Sequence, residues 1–472
     1  MKLNNKHRVL SVVLLMLVMM LSFASVVAFA NDGNSTNVAK IGETEYATLA
    51  DAIAAAKDGE TVTLLADATE DVTINKNITL DLGGKTLTNT GAGKATISVT
   101  GGTVTVKNGN VVGGTSYYNI EATKGSNANL TLEGVTATAG AGNTGSSMID
   151  NWGTLTINSG DYSGGMNTVK SEEGSTLVIN DGTFTCDFGK KWSYTATILV
   201  YGNTTINGGT FIQKTTNTSS YAKVVMTGIV DGYEAITRVT DGTFTNEKLS
   251  GIFYGLGKAT SDNFEVSGGT FNKYVSDSYF KTGYIPVKNA DGTYGVKEGK
   301  FVVEVGSIGY ETFDEALNAA NASSNSKTIY LRENLTVDHQ IVINNVKGKK
   351  ITLDLKSFTL TSTYAIGSAG SYALVNNTPL TIKNGTFAAG DARAIGALAA
   401  LTLDGATVTT KLTGGHACVA LCANDTSYTI KNSTIENVYA LSIFANNATV
   451  TVSGSKLTGT GNVLYHNGSN YG

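Results

Sequence analysis

The sequence has few of the residues that mark linkers, disulfide frameworks and nucleic-acid sites. Only two prolines and three cysteines occur in 472 residues, 15% of the residues are charged, and the formal net charge is −4. So little proline excludes a proline-rich linker, and an odd, small number of cysteines does not form a disulfide framework. The balanced charge predicts no nucleic-acid partner. We expect small buried side chains for the cysteines, which are Cys186, Cys418 and Cys422.

Arginine and the motifs of catalytic sites are also scarce. The arginines beyond the N-terminal segment are Arg238, Arg332 and Arg393. None lies beside a dense set of acids in the sequence. Adjacent acids of the type used in glycoside cleavage occur at Glu172 and Glu173, in a predicted loop, and at Asp314 and Glu315, in a predicted helix. No phosphate-binding loop, dinucleotide fingerprint or Ser-His-Asp motif is present. The sequence predicts no catalytic residues, no metal ligands and no cofactor.

The N-terminus has the features of an export signal. A basic start ending at Arg8 precedes an apolar stretch from Val9 to Ala30, which closes on a small-x-small cleavage site before Asn31. This pattern predicts a signal peptide at residues 1–30 and a secreted or cell-surface protein. An uncleaved membrane anchor is the alternative, because the stretch is long. No later apolar run has the length of a membrane span, so we expect no membrane contact beyond this segment.

Glycine, in contrast, is abundant and recurs in a repeated pattern. Short apolar strands run into a polar or glycine turn and restart on Thr-Phe, as in 179–184 and 206–211. Such units recur roughly every 22 to 27 residues, a period that fits one coil of a solenoid. The alternation in Val104-Thr105-Val106 is typical of a strand with one buried side.

Stacked coils bring equivalent side chains into register, because each strand pairs with its copy about 4.8 Å away. The repeat therefore predicts an internal stack of aromatic rings from Phe184, Phe211, Phe244 and Phe271. It also predicts an asparagine ladder that satisfies backbone groups at the turns, from Asn108, Asn158, Asn180 and Asn207. Glycine after these asparagines supplies the positive φ of a sharp turn, and aspartates before Gly-Thr suit the turns by bonding to the backbone.

A larger duplication overlies the coils. Residues 46–53 match 310–317, and 78–82 match 351–355. Each copy opens on a predicted helix with a capping box, and an open solenoid end needs such a cap. The sequence predicts tandem β-helix units at 38–298 and 301–472, the second of them incomplete.

The residues that open the first copy resemble a known superfamily. The run Tyr-x-Thr-Leu-x-x-Ala-Ile-x-Ala-Ala from Tyr46, with the strands 62–64 and 78–82, resembles the pectate-lyase-like superfamily. It is similar in particular to large repetitive, adhesin-like bacterial surface proteins. The resemblance covers nearly all of the mature chain. It implies an all-β fold, a right-handed parallel β-helix solenoid, in which the duplication predicts two tandem units, each with a short N-terminal capping helix. Enzymes of the superfamily cleave or de-esterify pectin, but their arginine-containing motifs are missing from this chain.

Aromatic residues and lysines fall at similar offsets after successive strands and are expected on one solenoid face. The candidate ligand-binding residues are Tyr117, Tyr118, Trp152, Lys170, Lys190, Lys191, Trp192 and Tyr194. Aromatic rings stack on sugar faces, and lysines meet uronate, sulfate or sialate groups. The structural alternative is that these residues pack back onto the coils.

The sequence thus predicts a non-catalytic secreted or cell-surface protein for adhesion, glycan binding or structural spacing, with a polysaccharide or host glycoprotein as partner. The alternative is a polysaccharide lyase or glycoside hydrolase. Carboxylates brought together from several coils would favour this alternative.

Overall fold

The computed structural model describes residues 37–142, 145–189, 195–215, 222–248, 251–365, 371–413, 417–461 and 463–466. Within these residues the chain forms a parallel β-solenoid of about 15 turns, nearly all strand, with two short α-helices. It separates into two compact units, residues 1–235 with 247–249 and residues 236–246 with 250–472. The division at 298–301, which follows the duplication, stays a prediction. The predicted signal peptide lies outside the described residues, and no helix within them is long and apolar enough to cross a membrane.

The first unit consists of short strands and one α-helix, Leu49–Ala55. Its strands are Ala39–Ile41, Thr44–Tyr46, Thr61–Leu64, Ala68–Thr69, Val72–Ile74, Ile78–Asp81, Thr86–Thr88, Ile97–Val99, Thr103–Val112, Ile120–Ala122, Asn129–Thr138, Ile149–Asn151, Thr154–Ile157, Gly160–Ser163, Asn167–Ser171, Thr176–Ile179, Thr183–Cys186, Ala196–Val200, Asn203–Ile206, Thr210–Gln213 and Lys223–Ile229.

The second unit likewise consists of short strands and one α-helix, Phe313–Asn321. It also contains two 3₁₀ turns, Ser261–Asn263 and Asp277–Tyr279. Its strands are Thr237–Val239, Thr243–Asn246, Phe253–Gly257, Phe264–Val266, Thr270–Phe271, Tyr284–Lys288, Tyr294–Glu298, Val303–Val305, Ile308–Tyr310, Lys327–Leu331, Leu335–Val337, Ile341–Ile343, Ile351–Asp354, Thr359–Ser362, Tyr372–Asn376, Leu380–Ala389, Arg393–Ala397, Leu401–Thr410, Ala417–Leu421, Ser427–Lys431, Thr434–Glu436, Tyr439–Ile443, Thr449–Ser453, Lys456–Thr458 and Leu464–His466.

A coil of the first unit contains three short strands, for example Ile149–Asn151, Thr154–Ile157 and Gly160–Ser163. Each strand pairs in parallel with the equivalent strand of the next coil, so that Leu155 lies opposite Leu177. Because side chains alternate along a strand, every second residue enters the interior. The core is therefore a set of columns of identical or similar apolar side chains.

The predicted aromatic stack is confirmed within each unit. All four predicted phenylalanines are fully buried. The ring centroids of Phe184 and Phe211 lie 5.0 Å apart, and those of Phe244 and Phe271 lie 5.4 Å apart. Tyr162 extends the first stack, with its ring 5.0 Å from that of Phe184. These distances fit stacked aromatic pairs, which stabilise a fold beyond the apolar area that they bury.

The predicted turns and helix starts are also present. The backbone N–H of Gly182, a residue with φ of 125°, donates to the carboxylate of Asp181 at 2.7 Å. The hydroxyl of Thr48 accepts from the Asp51 amide at 3.0 Å and caps the first helix. In the second helix, Thr312 forms the reciprocal capping box expected from the sequence.

The asparagine ladder differs in part from the prediction. The side-chain amide of Asn180 donates to Asn158 at 2.8 Å, and that of Asn207 donates to Asn180 at 2.9 Å, both at an exposed turn. Both bonds join one side chain to another, whereas the prediction was that the ladder would satisfy backbone groups. A buried backbone group is served by another asparagine, Asn151, whose amide donates to the carbonyl of Thr176 at 3.0 Å. The predicted ladder therefore forms on the surface. In the interior a backbone carbonyl is bonded by Asn151, which is not one of the asparagines that the repeat predicts.

Candidate functional site

One sheet of the first unit carries charged side chains on its outer face. In the register of this sheet, Glu121 lies opposite Asp150, and Asp150 lies opposite Lys170. The residues that precede them, Ile149 for example, are fully buried in the core. Because side chains alternate in direction, the three charged residues point away from the core. Three successive coils therefore place charged groups side by side.

A second row lies two residues further along the same coils. The backbone amide of Trp152 donates to the carbonyl of Ala122 at 3.0 Å, and that of Glu172 donates to the carbonyl of Asn151 at 2.8 Å. The chain thus stays extended and in register beyond the strands, and the two side chains lie next to the first row. We call Tyr118, Glu121, Asp150, Trp152, Lys170 and Glu172 the Asp150 cluster.

Asp150 is the most enclosed acid of the cluster, with 1% of its surface exposed. Its Oδ2 atom accepts a hydrogen bond from the indole N–H of Trp152 at 2.9 Å. Its Oδ1 atom is shut off from solvent and has no donor among the described residues. The carboxyl group of Glu172 is close enough for a hydrogen bond. One proton on Asp150 would therefore join the two acids by a hydrogen bond.

The electrostatics favour that shared proton. Burial, followed by the charge of Glu172, raises the pKa of Asp150 well above its ordinary value, against the opposing effects of Lys170 and Trp152. Burial lowers the pKa of Lys170, but its hydrogen bond and charge attraction to Glu172 outweigh burial, and the pKa is raised. Lys170 thus stays charged in an ion pair with Glu172. The acid pair and the lysine together form a small buried proton-holding network.

Aromatic rings surround this network. The ammonium of Lys124 lies 4.0 Å from the ring centroid of Trp152 and 3.5 Å from the carboxylate of Glu173. The rings of Tyr117 and Tyr118 have centroids 4.8 Å apart. Burial, followed by the charges of Asp150 and Glu172, raises the pKa of Tyr118 to about 12. The Tyr118 hydroxyl therefore stays protonated as a hydrogen-bond donor.

The structure brings together half of the residues proposed from the sequence. Tyr117, Tyr118, Trp152 and Lys170 all belong to or border the Asp150 cluster. The other candidates lie outside the described residues and are Lys190, Lys191, Trp192 and Tyr194.

Sequence reasoning missed the acids. Glu172 and Glu173 lie in a loop after the strand Asn167–Ser171, as predicted, but the sequence alone singles out neither Asp150 nor Glu121. The structure pairs the strand around Ile149 with the strand around Val169. An alignment of these two strands in the sequence would place Asp150 beside Lys170.

The second unit provides an internal comparison. In its sheet that contains Tyr372–Asn376, the outer row at the equivalent strand position consists of Val375, Gly396 and Ala420 in register. Small and apolar side chains therefore suffice for this face of a coil. The charged groups of the first unit are not required by the coil itself, which points to a role in function.

The Asp150 cluster offers a half-buried indole ring and a tyrosine hydroxyl above a buried carboxyl group, with the ion pair of Lys124 and Glu173 beside them. An indole ring stacks on apolar ring faces, and the hydroxyl and the ion pair can exchange hydrogen bonds with a ligand. Among the described residues no group of three or more His, Cys, Asp or Glu side chains is arranged to hold a metal ion. Comparison of the chain with known protein families, curated proteins and solved structures gives no match.

Proposed function

We propose that this chain is a secreted or cell-surface β-solenoid that binds glycans at the Asp150 cluster without catalysing a reaction. One observation carries the proposal: two successive coils bring Tyr118 and Trp152 together, and Trp152 is held by a hydrogen bond to the buried Asp150. A pyranose ring has an apolar C–H face and hydroxyl edges. The indole of Trp152 matches the face once the exposed Lys124 side chain above it is displaced, and the Tyr118 hydroxyl with the carboxylate of Glu173 matches the edges.

The charge of the site selects among glycans. Lys170 is paired with Glu172, and Lys124 is paired with Glu173. Glu121 and Asp150 add further acid groups to the patch. The lysines are therefore offset by acids, and we propose that the patch disfavours the uronate, sulfate and sialate groups that the sequence alone predicts as ligands. Charge complementarity favours neutral or amino-bearing glycans.

The test uses the full chain with immobilised xylan, chitosan, pectate and heparin. We expect retention on xylan or chitosan, weaker retention on the anionic polymers, and no soluble oligosaccharides by chromatography. Trp152→Ala removes the stacking ring and should abolish retention. Tyr465, which is 42% exposed in the second unit, gives the matched control Tyr465→Ala, which should be retained like wild type. Retention of Trp152→Ala equal to that of wild type would contradict the proposal.

A second matched pair tests the buried charge network. Lys170→Met leaves Glu172 without its ion-pair partner and should weaken retention. Lys214→Met, which removes a lysine 3.9 Å from Glu247, should leave retention unchanged. Equal effects of the two substitutions would indicate that the Asp150 cluster has no special role.

Glycan cleavage is the second candidate function, because Asp150 and Glu172 come from neighbouring coils and lie side by side. The two carboxyl groups of a glycosidase lie roughly 5 to 9.5 Å apart with the sugar between them, so cleavage requires the two acids to separate and the buried Asp150 to become accessible. New oligosaccharides in the same incubation, lost in Glu172→Gln while retention persists, would establish cleavage and replace the binding proposal.

We also propose that the solenoid is right-handed and that the chain belongs to the pectate-lyase-like superfamily. Support comes from the opening residues of the two copies and from the near-universal right-handedness of parallel strand crossovers. The helices Leu49–Ala55 and Phe313–Asn321 bury an apolar face, as caps over a solenoid end would. N-terminal sequencing of the exported chain tests the signal, with Asn31 as the expected first residue.

A further inference from the structure

The second unit contains a groove that is separate in residues from the Asp150 cluster. Its volume is about 760 Å³, within the range of small-ligand sites. The lining is mostly apolar, and charged residues lie among it. The apolar part of the lining includes Tyr274, Pro286, Val287, Tyr294, Ile308 and Tyr310.

Two tyrosines form a corner in this groove. The rings of Tyr274 and Tyr294 have centroids 5.6 Å apart and an interplanar angle of 77°. Tyr274 is 42% exposed. One ring therefore presents its face where the other presents its edge, an arrangement that can stack on a flat ligand ring and line its side.

The groove depends on residues in which the two copies of the duplication differ. At the hairpin turn the second copy has Ile308 and Gly309 where the first copy has Thr44 and Glu45. Ile308 is 54% exposed. Because the first copy builds the same hairpin with threonine, the hairpin does not require an exposed isoleucine. The exposed apolar side chain is therefore particular to the second copy, where it lines the groove.

Gly309 leaves room for the aromatic ring of Phe301 in the wall of the groove. A Cβ atom at this position would lie 2.1 Å from the ring of Phe301. A side chain such as Glu45 of the first copy would therefore displace Phe301, which also lines the groove. The second copy combines a glycine, a packed phenylalanine ring and an exposed isoleucine at one wall.

Polar groups complete the lining. Lys297 and Glu311 form an ion pair that offers donors and acceptors side by side. Glu315 accepts from the Thr312 amide at 3.3 Å. Burial, followed by the charge of Glu315, raises the pKa of Tyr310, so its hydroxyl stays a donor.

We propose that this groove binds an N-acetylated hexosamine unit of a glycan. The tyrosine corner stacks on the pyranose ring, and Ile308 with Pro286 and Val287 receives the acetamido methyl group. Hydroxyl groups bond to the pair of Lys297 and Glu311. An unsubstituted hexose leaves Ile308 exposed to water and gains less from the aliphatic wall. The site does not use any residue of the Asp150 cluster, so each proposal stands or fails alone.

The test titrates the full chain with N,N′-diacetylchitobiose by saturation-transfer NMR and calorimetry. Cellobiose, which carries hydroxyl groups in place of the acetamido groups, is the comparison ligand. We expect saturable binding of the acetylated disaccharide, with the strongest transfer to its methyl protons and weaker binding of cellobiose. Absence of binding would overturn the proposal. Equal affinity for cellobiose would overturn the assignment of the acetamido group.

Variants locate the binding in the groove. Ile308→Thr, the residue of the first copy, should weaken affinity about tenfold, as expected for loss of a small apolar contact. Val346→Thr makes a similar change at a residue that is 68% exposed outside the groove, and should leave affinity unchanged. Gly309→Glu provides a second substitution at the same wall. Unchanged affinity in both Ile308→Thr and Gly309→Glu would overturn the proposal, whatever the Asp150 cluster binds.

Discussion

The indole N–H of Trp152 donates a 2.9 Å hydrogen bond to Oδ2 of Asp150. This bond fixes the ring that we propose as a sugar platform above a carboxyl group that is 1% exposed. The cost of burying Asp150 is reduced when it shares a proton with Glu172. The binding surface and a pH-sensitive part of the fold are therefore the same group of residues.

Asp150→Asn should remove that pH sensitivity. The folded-state pKa of Asp150 is raised, so the folded chain holds more protons than the unfolded chain. The free energy of unfolding therefore falls as pH rises from about 4, the ordinary value, through the folded-state pKa. Asparagine keeps an acceptor for Trp152 and adds a donor toward Glu172. Relative to wild type, we expect it to stabilise the chain by about 1 to 3 kcal/mol at pH 8 and by little at pH 4.

Thermal unfolding at pH 4, 6 and 8 measures this difference. The exposed Asp161 gives the control Asp161→Asn, which should track wild type at every pH. A stabilisation by Asp150→Asn that is the same at pH 4 and pH 8 would show that Asp150 has an ordinary pKa.

The aromatic stack should dominate local stability in the first unit. Phe211 is fully buried, with its ring 5.0 Å from that of Phe184. Phe211→Ala leaves a cavity and should cost about 3 to 5 kcal/mol, whereas Phe211→Leu fills part of the space and should cost clearly less. Urea unfolding of the two variants measures the difference. Equal, small losses below about 1 kcal/mol would contradict a close-packed stack.

The two kinds of asparagine should differ in their effect. Asn151 is fully buried and donates to Ser171 and Thr176, so Asn151→Ala leaves buried groups without partners. Asn180 bonds to its neighbours at an exposed turn, where water replaces the lost partner. We expect a loss of about 2 to 4 kcal/mol for Asn151→Ala and under about 1 kcal/mol for Asn180→Ala. The reverse order in urea unfolding would mean that the surface ladder supports the fold.

The contrast between these asparagines shows which contacts the sequence can predict. Thr-Phe repeats at a regular spacing predict the coil and the stack of Phe184 on Phe211, because equal spacing places equal side chains in register. Asn151 follows no such repeat, since its role depends on a carbonyl of the next coil. The fold class was therefore predictable from the pattern, and the interior polar bonds were not.

The site was predictable only in its aromatic half. Similar offsets predict Tyr118 and Lys170 on one face, with Trp152 as a nearby addition, and in the structure all three lie close to Asp150. The acid pair was hidden because successive coils differ in length: the coil from Ile120 to Ile149 is longer than that from Ile149 to Val169, although both pair in register. Unequal loops conceal which residues of neighbouring coils meet.

His339 in the second unit should titrate above its ordinary pKa. The hydrogen bond with Asp338 raises the pKa of His339, and the nearby Asp314 adds to this effect against burial. A raised pKa means that the interaction stabilises the fold at low pH and is lost as pH rises through the folded-state value. NMR titration should give a pKa above about 6.5, lowered in Asp338→Asn. His339→Gln identifies the resonance. A pKa at or below the ordinary value would contradict the geometry.

The most direct test of glycan binding uses the fluorescence of Trp152. The chain has two tryptophans, Trp152 and Trp192, so the full chain with Trp192→Phe reports on Trp152 alone. Titration with xylan or chitosan, whichever retains the chain, is predicted to change the emission saturably, with the same midpoint as retention. Retention without any change in the emission of Trp152, or retention that persists in Trp152→Ala, would contradict binding at the Asp150 cluster.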